Sequence, residues 1–199
     1  PCSERMKQFL KLITGNGEKS YEDWYHMLYW AVRNCGFSSE AALELGRLDL
    51  AFHDMMAKEE NLPLHRFLGA DRDWVEVYAS GCGTNLTDRE MEEEIKSYQA
   101  GGYTTFKMKC AGSFGTCIDR DVERVRMVRS LLGREARLAI DVNQLWNAEE
   151  ALRFADKVEK FDIAWFEEPV HSYDMTELAK LTKLSPIPIA MGESPRCYY

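Results

Sequence analysis

The sequence predicts an α/β protein of (β/α)₈ TIM-barrel type, with barrel strands 1–5 present. Four apolar, β-prone stretches carry this reading: Phe106-Lys107-Met108-Lys109, Ile140-Asp141-Val142-Asn143, Trp165-Phe166-Glu167-Glu168-Pro169 and Ala190-Met191-Gly192-Glu193. Lys109 and Asp141 are 32 residues apart, Asp141 and Glu167 26, and Glu167 and Glu193 26, which is the length of one strand-helix unit repeated. Helix-start and helix-stop residues fill the intervals between them. Five such units also allow an open doubly wound sheet. The barrel is preferred because Gly81-Cys82-Gly83 lacks the third glycine of a phosphate-binding fingerprint.

Taken in order, Gly15-Asn16-Gly17 is a turn signal, and Ser20 with Asp23 marks a helix start. Trp24, Leu28, Ala31, Val32 and Cys35 follow at helical spacing until Gly36. A second helix is expected over residues 39–60, with Ala42, Leu45, Leu48 and Phe52 as its apolar stripe. Gly46 inside it costs about 1 kcal/mol against alanine, which points to close packing there. His53 and His65 have no partner of ligand character four residues away and are expected in surface or core roles. Asn61-Leu62-Pro63 breaks the helix, and residues 69–73 read as the link into a new domain.

From Trp74 strands and helices alternate. Residues 75–79 are the expected first strand, followed by Thr87 with Glu90 as a capping box and Gly101-Gly102 as a stop. The second strand covers 103–109, and the helix after it covers 121–132 with Val122, Val125, Val128 and Leu132 inward. A third strand over 137–142 leads to Asn147 with Glu150, a second capping box, and the buried stripe Ala151, Phe154, Ala155 and Val158. The fourth strand is 163–167, Asp174 with Glu177 opens a helix to about 184, and the fifth strand is 187–191. A closed barrel needs eight strands and an open edge is aggregation-prone, so the chain reads as truncated.

Composition excludes several classes. A net charge of −8 argues against a nucleic-acid surface. No apolar run approaches the roughly 18 residues of a membrane span, and no signal peptide is evident at the start. Six cysteines form no CxxC pair and no zinc spacing, and read as reduced thiols of a cytoplasmic protein. Cys110 follows Lys109 directly but has no histidine in view to activate it.

Residues two apart on a strand share a face. Lys107 and Lys109 therefore point one way and Phe106 and Met108 the other, Asp141 lies with Asn143 and Ala139, Glu167 with Trp165, and Glu193 with Met191 and Ile189. In a parallel sheet the strand ends meet on one face, so one lining holds two lysines and three acids. Three carboxylates within a few Å repel one another by about 4 kcal/mol per pair at an effective dielectric of about 20. An all-oxygen set suits a hard ion, Mg²⁺ first and Mn²⁺ as the alternative. Beside such an ion Lys109 would act as a base, with the Lys107 ammonium lowering its proton affinity, and the chemistry implied is enolisation of a carboxylate substrate. Taken singly, each acid reads as a solvated strand end or a cap.

Lys107-Met108-Lys109, Asp141-Val142-Asn143, Glu167-Glu168-Pro169 and Gly192-Glu193 resemble the enolase superfamily, specifically the mandelate racemase and muconate lactonizing enzyme family. The stretch Ala42-Leu43-Glu44-Leu45-Gly46-Arg47-Leu48-Asp49, with Pro63-Leu64 and Leu68-Gly69, is similar to that family's linker region. The resemblance implies part of an α+β capping domain over residues 1–70 and the N-terminal part of a modified barrel over 71–199. It implies Asp141, Glu167 and Glu193 as Mg²⁺ ligands, Lys109 exchanging the substrate α-proton with Lys107 assisting electrostatically, and Asn143 and Glu168 contacting substrate or supporting the ligands. It also implies a homo-oligomer. Gly192-Glu193, and Asp141-Val142-Asn143-Gln144 followed by Trp146, lean toward the acid-sugar dehydratases of the mandelate racemase side. Racemase, epimerase and cycloisomerase chemistry are the alternatives, as is a non-catalytic barrel fragment. The second catalytic group is expected beyond Tyr199, and His171 lies in the wrong unit to substitute.

Overall fold

Among the described residues, four helices precede the first strand. The structure is a computed structural model and describes residues 3–34 and 40–194. Helix α1, Glu4–Gly15, starts at Ser3, whose side chain accepts from the Met6 N–H. The sequence reading passed over this helix, although Met6, Phe9, Leu12 and Ile13 recur at helical spacing behind a serine cap. Helix α2, Tyr21–Ala31, begins where expected, with Ser20 accepting from the Asp23 N–H, and buries Trp24 and Leu28. Val32 is buried after it but Ala31 is exposed, while Cys35 and Gly36 lie outside the described residues. Helix α3, Glu40–Glu59, buries Ala41, Leu45, Leu48 and Ala57, with Ala42 and Phe52 half-buried; Ser39, its expected start, lies outside the described residues.

Two expectations fail in α3. Gly46 is exposed, and a Cβ built on it meets nothing within 4 Å, so no close packing calls for glycine there. His53 does have an acidic partner one turn back: its Nδ1 lies 2.9 Å from the Asp49 carbonyl oxygen and 3.6 Å from Asp49 Oδ1. Asn61, in the left-handed region at φ 54°, ends the helical path, and α4, Leu64–Phe67, follows Pro63.

Chain contacts place a unit boundary after Val75, and the second unit covers Glu76–Ser194. Its elements are β1 Ala79–Gly81, α5 Asp88–Ala100, β2 Thr105–Lys109, α6 Ile118–Leu132, β3 Arg137–Asp141, α7 Ala148–Val158, β4 Ile163–Glu167, α8 Met175–Leu184 and β5 Ile189–Ala190. All neighbouring strands are parallel and their spatial order is β1-β2-β3-β4-β5. A doubly wound sheet reverses its strand order at a switch point, whereas a barrel adds strands in sequence order; the observed order is the barrel's.

The expected caps are present. Thr87 with Glu90 and Asn147 with Glu150 form reciprocal capping boxes, and the Asp174 side chain accepts from the Glu177 N–H. Phe106, Met108, Leu138, Ile140 and Phe166 pack in one cluster with Met91, Ile95, Val125, Val128, Phe154, Val158 and Leu181 from the helices. Phe154 is central to it, with ring centroids 4.8 Å from Trp146 and 5.9 Å from Phe166.

The edge strands are shorter than expected. The register Ala79↔Phe106 would set Val75 opposite Gly102 and residue 77 opposite residue 104, ahead of the start of β2 at Thr105, so residues 75–77 have no ladder to join. Val75 and Val77 accordingly remain exposed. At the other edge β5 holds only two residues, and the chain leaves the ladder at Met191.

Candidate active site

The C-terminal ends of β2, β3 and β4 are in register: Lys109 pairs with Asp141, and Asp141 with Glu167. Alternation along β2 buries Phe106 and Met108 in the core and turns both lysines toward these acids. Asp141 is fully buried. Its Oδ2 accepts from Lys109 Nζ at 2.5 Å and lies 3.1 Å from Lys107 Nζ, while Oδ1 accepts from the Asn143 N–H at 3.0 Å. Burial alone would push the Asp141 carboxyl up, but the bonds from Lys109, the Asn143 N–H and Lys107 outweigh it and hold the group below the ordinary range.

Lys107 also donates to Glu167 Oε1, and Trp165 Nε1 donates to Glu167 Oε2 at 2.9 Å. Its ammonium stands 5.5 Å above the Tyr78 ring, which meets Trp165 edge-on at 5.4 Å. Burial pulls the Lys107 pKa down, yet the hydrogen bonds to Glu167 and Asp141 prevail and keep it above the usual lysine range. Lys107 is thus a fixed cation, with a side chain 9% exposed against 33% for Lys109. Lys109 also donates to Asn143 Oδ1 at 2.8 Å. This leaves the outer lysine, in contact with a carboxylate and an amide oxygen, as the accessible one of the pair.

The expected convergence is met for four of the candidates, Lys107, Lys109, Asp141 and Glu167, with Asn143 beside them. It is not met in the same way for Glu193. Among the described residues no three His, Cys, Asp or Glu side chains are gathered closely enough to hold a metal ion. The reason is the short β5: Glu193 follows the end of the ladder and is exposed, where alternation along a longer strand would have turned it inward. It nevertheless lines one cleft with Glu167, Glu168, Ala190, Met191 and Gly192. Glu168 is fully buried, its Oε1 accepts from the Gly192 and Glu193 N–H groups, and its Oε2 has no partner.

The donor set suits a hard divalent cation. Every candidate donor is a carboxylate oxygen, one buried oxygen is unpartnered, and the formal charges of Asp141, Glu167, Glu168 and Glu193 exceed those of Lys107 and Lys109 by two. Cys110 does not contribute: it is buried, and burial drives its thiol well above the usual range. His171 is exposed, and its Nδ1 accepts from the Tyr173 N–H at 3.3 Å.

Sequence reasoning assigned no role to Tyr78, Trp165 or Gln144. Alternation along β4 places Trp165 on the face of Glu167, and the structure adds that its indole N–H donates to that carboxylate. Tyr78 precedes β1 and carries no such signal. Gln144 bridges two loops, its Nε2 donating to Ser194 Oγ at 2.7 Å and its Oε1 accepting from the Ser172 N–H at 2.9 Å. That bridge depends on a left-handed backbone at Gln144, φ 68°, which its residue type does not announce.

Residues 90–198 match the family described as Enolase C-terminal domain-like. L-talarate/galactarate dehydratase from Salmonella typhimurium is 34% identical over 189 residues, 94% of this chain and 46% of that protein. L-Ala-D/L-Glu epimerase from Francisella tularensis subsp. novicida is 30% identical over 178 residues, 86% of this chain and 46% of that protein. The crystal structure of L-talarate/galactarate dehydratase from Salmonella typhimurium LT2 liganded with Mg and L-lyxarohydroxamate superposes with a TM-score of 0.84 at 32% identity, over 96% of this chain and 50% of that one. The chain spans about half the length of the curated relatives it matches. Among the described residues no helix is long and apolar enough to cross a membrane.

Proposed function

The chain belongs to the Enolase C-terminal domain-like family, and on that premise we propose that it carries the proton-abstracting centre of a Mg²⁺-dependent enzyme acting on a carboxylate substrate, a sugar acid undergoing dehydration. The observation that carries the reading is the in-register set Lys109, Asp141 and Glu167 at three adjacent strand ends, with Lys107 held between the two acids.

Asp141, Glu167 and Glu193 are the residues that would hold the ion. When bound, Mg²⁺ would neutralise charge on the substrate carboxylate as the adjacent C–H loses its proton. Lys109 takes that proton at Nζ. Its contacts with Asp141 Oδ2 and Asn143 Oδ1 orient the amine, and its partial exposure lets substrate approach. Lys107 stays protonated, supplies positive charge beside Asp141 and Glu167, and does not compete as a base. Tyr78 and Trp165 shield this cation and carboxylate from water on one side. The similarity to a dehydratase known to bind Mg and a sugar-acid hydroxamate supports both the ion and the substrate class.

Incubation with Mg²⁺ and sugar acids in D₂O should wash deuterium into the α-position, and Lys109→Ala should abolish that exchange. Exchange that survives Lys109→Ala unchanged would remove Lys109 from the role of base. An epimerase is the second reading, favoured by the 30% identity to L-Ala-D/L-Glu epimerase. A product that keeps its hydroxyl groups but inverts its α-carbon would establish it.

A further inference from the structure

The segment that carries Glu193 has little support from the sheet, because β5 ends at Ala190. It is held instead by two side chains from neighbouring loops. Glu168, one residue past β4, accepts at Oε1 from the Gly192 N–H at 2.7 Å and from the Glu193 N–H at 3.0 Å. Gln144, three residues past β3, donates from Nε2 to Ser194 Oγ at 2.7 Å and is itself anchored by the Ser172 N–H. Three consecutive residues, 192–194, are therefore gripped from two strands that already carry Asp141 and Glu167.

The backbone supports a positioning role for both grips. Glu168 at φ 46° and Gln144 at φ 68° occupy the left-handed region, which non-glycine residues enter rarely and keep where the surroundings impose it. In each case that backbone accompanies a side chain directed at the post-β5 segment. Gly192, at φ 146°, supplies the bend that lets its own N–H and the next one reach a single carboxylate oxygen.

We propose that Glu168 and Gln144 are positioning residues which clamp residues 192–194 and so keep Glu193 on the cleft it lines with Glu167, from which it would reach a bound ion as the third carboxylate. This rests on the metal reading of the proposed function. Glu168 acts as a hydrogen-bond acceptor, so glutamine, which keeps an acceptor oxygen of the same reach, should replace it, and methionine should not. Groups that orient metal ligands in this way typically control affinity by about 10–100-fold.

The test compares the parent chain with Glu168→Gln, Glu168→Met and Gln144→Ala by two readouts: amide hydrogen exchange of the metal-free protein, and calorimetric titration with Mg²⁺ alone. Glu168→Met should speed exchange at Gly192 and Glu193 by about tenfold or more while the β3 amides stay protected, and should weaken Mg²⁺ binding by about 10–100-fold. Glu168→Gln should restore both to within about threefold of the parent. Gln144→Ala alters a half-buried side chain and should weaken Mg²⁺ binding without loss of fold, which keeps the clamp testable if Glu168→Met does not fold. Parental exchange and affinity in Glu168→Met and Gln144→Ala would overturn the clamp. A Glu168→Gln variant as impaired as the methionine one would overturn it too, because the carboxylate charge would then act on the ion directly. If the parent takes up no Mg²⁺, the metal reading falls and the exchange rates alone decide whether the segment is clamped.

Discussion

Lys109 and Asp141 are directly paired across β2 and β3, and Lys109 Nζ lies 2.5 Å from Asp141 Oδ2. Asp141 is fully buried and shares that oxygen with Lys107, so the two lysines answer one carboxylate from different depths. Their substitutions should separate. Lys109→Met leaves Lys107 on Asp141 and should melt close to the parent while losing about 10²–10⁴-fold in α-proton exchange. Lys107→Met strips both Asp141 and Glu167 of a buried partner and should cost about 3 kcal/mol in urea unfolding. Equal stability losses for the two variants would contradict this division.

Gly46 and Gly115 should respond to alanine with opposite sign. Gly46 lies in the interior of α3 with open space where a Cβ would go, so Gly46→Ala should stabilise by about 0.5–1 kcal/mol. At Gly115 the backbone has φ +77° and an added Cβ would stand 2.5 Å from Trp146 Nε1, the group that donates to the Gly115 carbonyl. Gly115→Ala should destabilise by about 2 kcal/mol or more. Denaturant midpoints of the two variants measure both.

Phe154 is fully buried between Trp146 and Phe166. Phe154→Ala should cost about 3–5 kcal/mol through lost transfer energy and the cavity left behind, and Phe154→Leu markedly less. Similar midpoints for the two would mean that this core can collapse around the gap.

The described thiols divide by burial. Cys82 and Cys110 are buried and Cys117 is exposed, so brief alkylation of the native protein should label Cys117 and spare the other two until unfolding. Burial, with Glu94 adding to it, pushes the Cys82 thiol up to about 12. An unfolded thiol ionises from about pH 8.5 upward while the native one keeps its proton. Cys82 therefore contributes its full stability below about pH 8.5, and that contribution is lost as the pH rises toward 12. Cys82→Ala should flatten this alkaline decline, and an unchanged slope would assign the decline to other groups.

Local order explains which parts of this protein could be read from the chain alone. The capping residues Thr87, Asn147 and Asp174, the stripe Ala151, Phe154, Ala155 and Val158, and the alternation of Lys107 and Lys109 with Phe106 and Met108 depend on spacings of two to four residues. Such spacings follow from helix and strand geometry, and with the repeated strand-helix interval they determined the strand order and the meeting of Lys109, Asp141 and Glu167. The tertiary structure decided what depends on partners distant in sequence. It cut β1 and β5 short because the register set residues 75–77 ahead of the start of β2 and Met191 past the end of β4. It set Lys107 between two acids, and it tied residues 192–194 to Glu168 and Gln144 through left-handed backbones. Register and positive φ at a non-glycine residue arise from the whole packed sheet, and no local pattern of residue types encodes them.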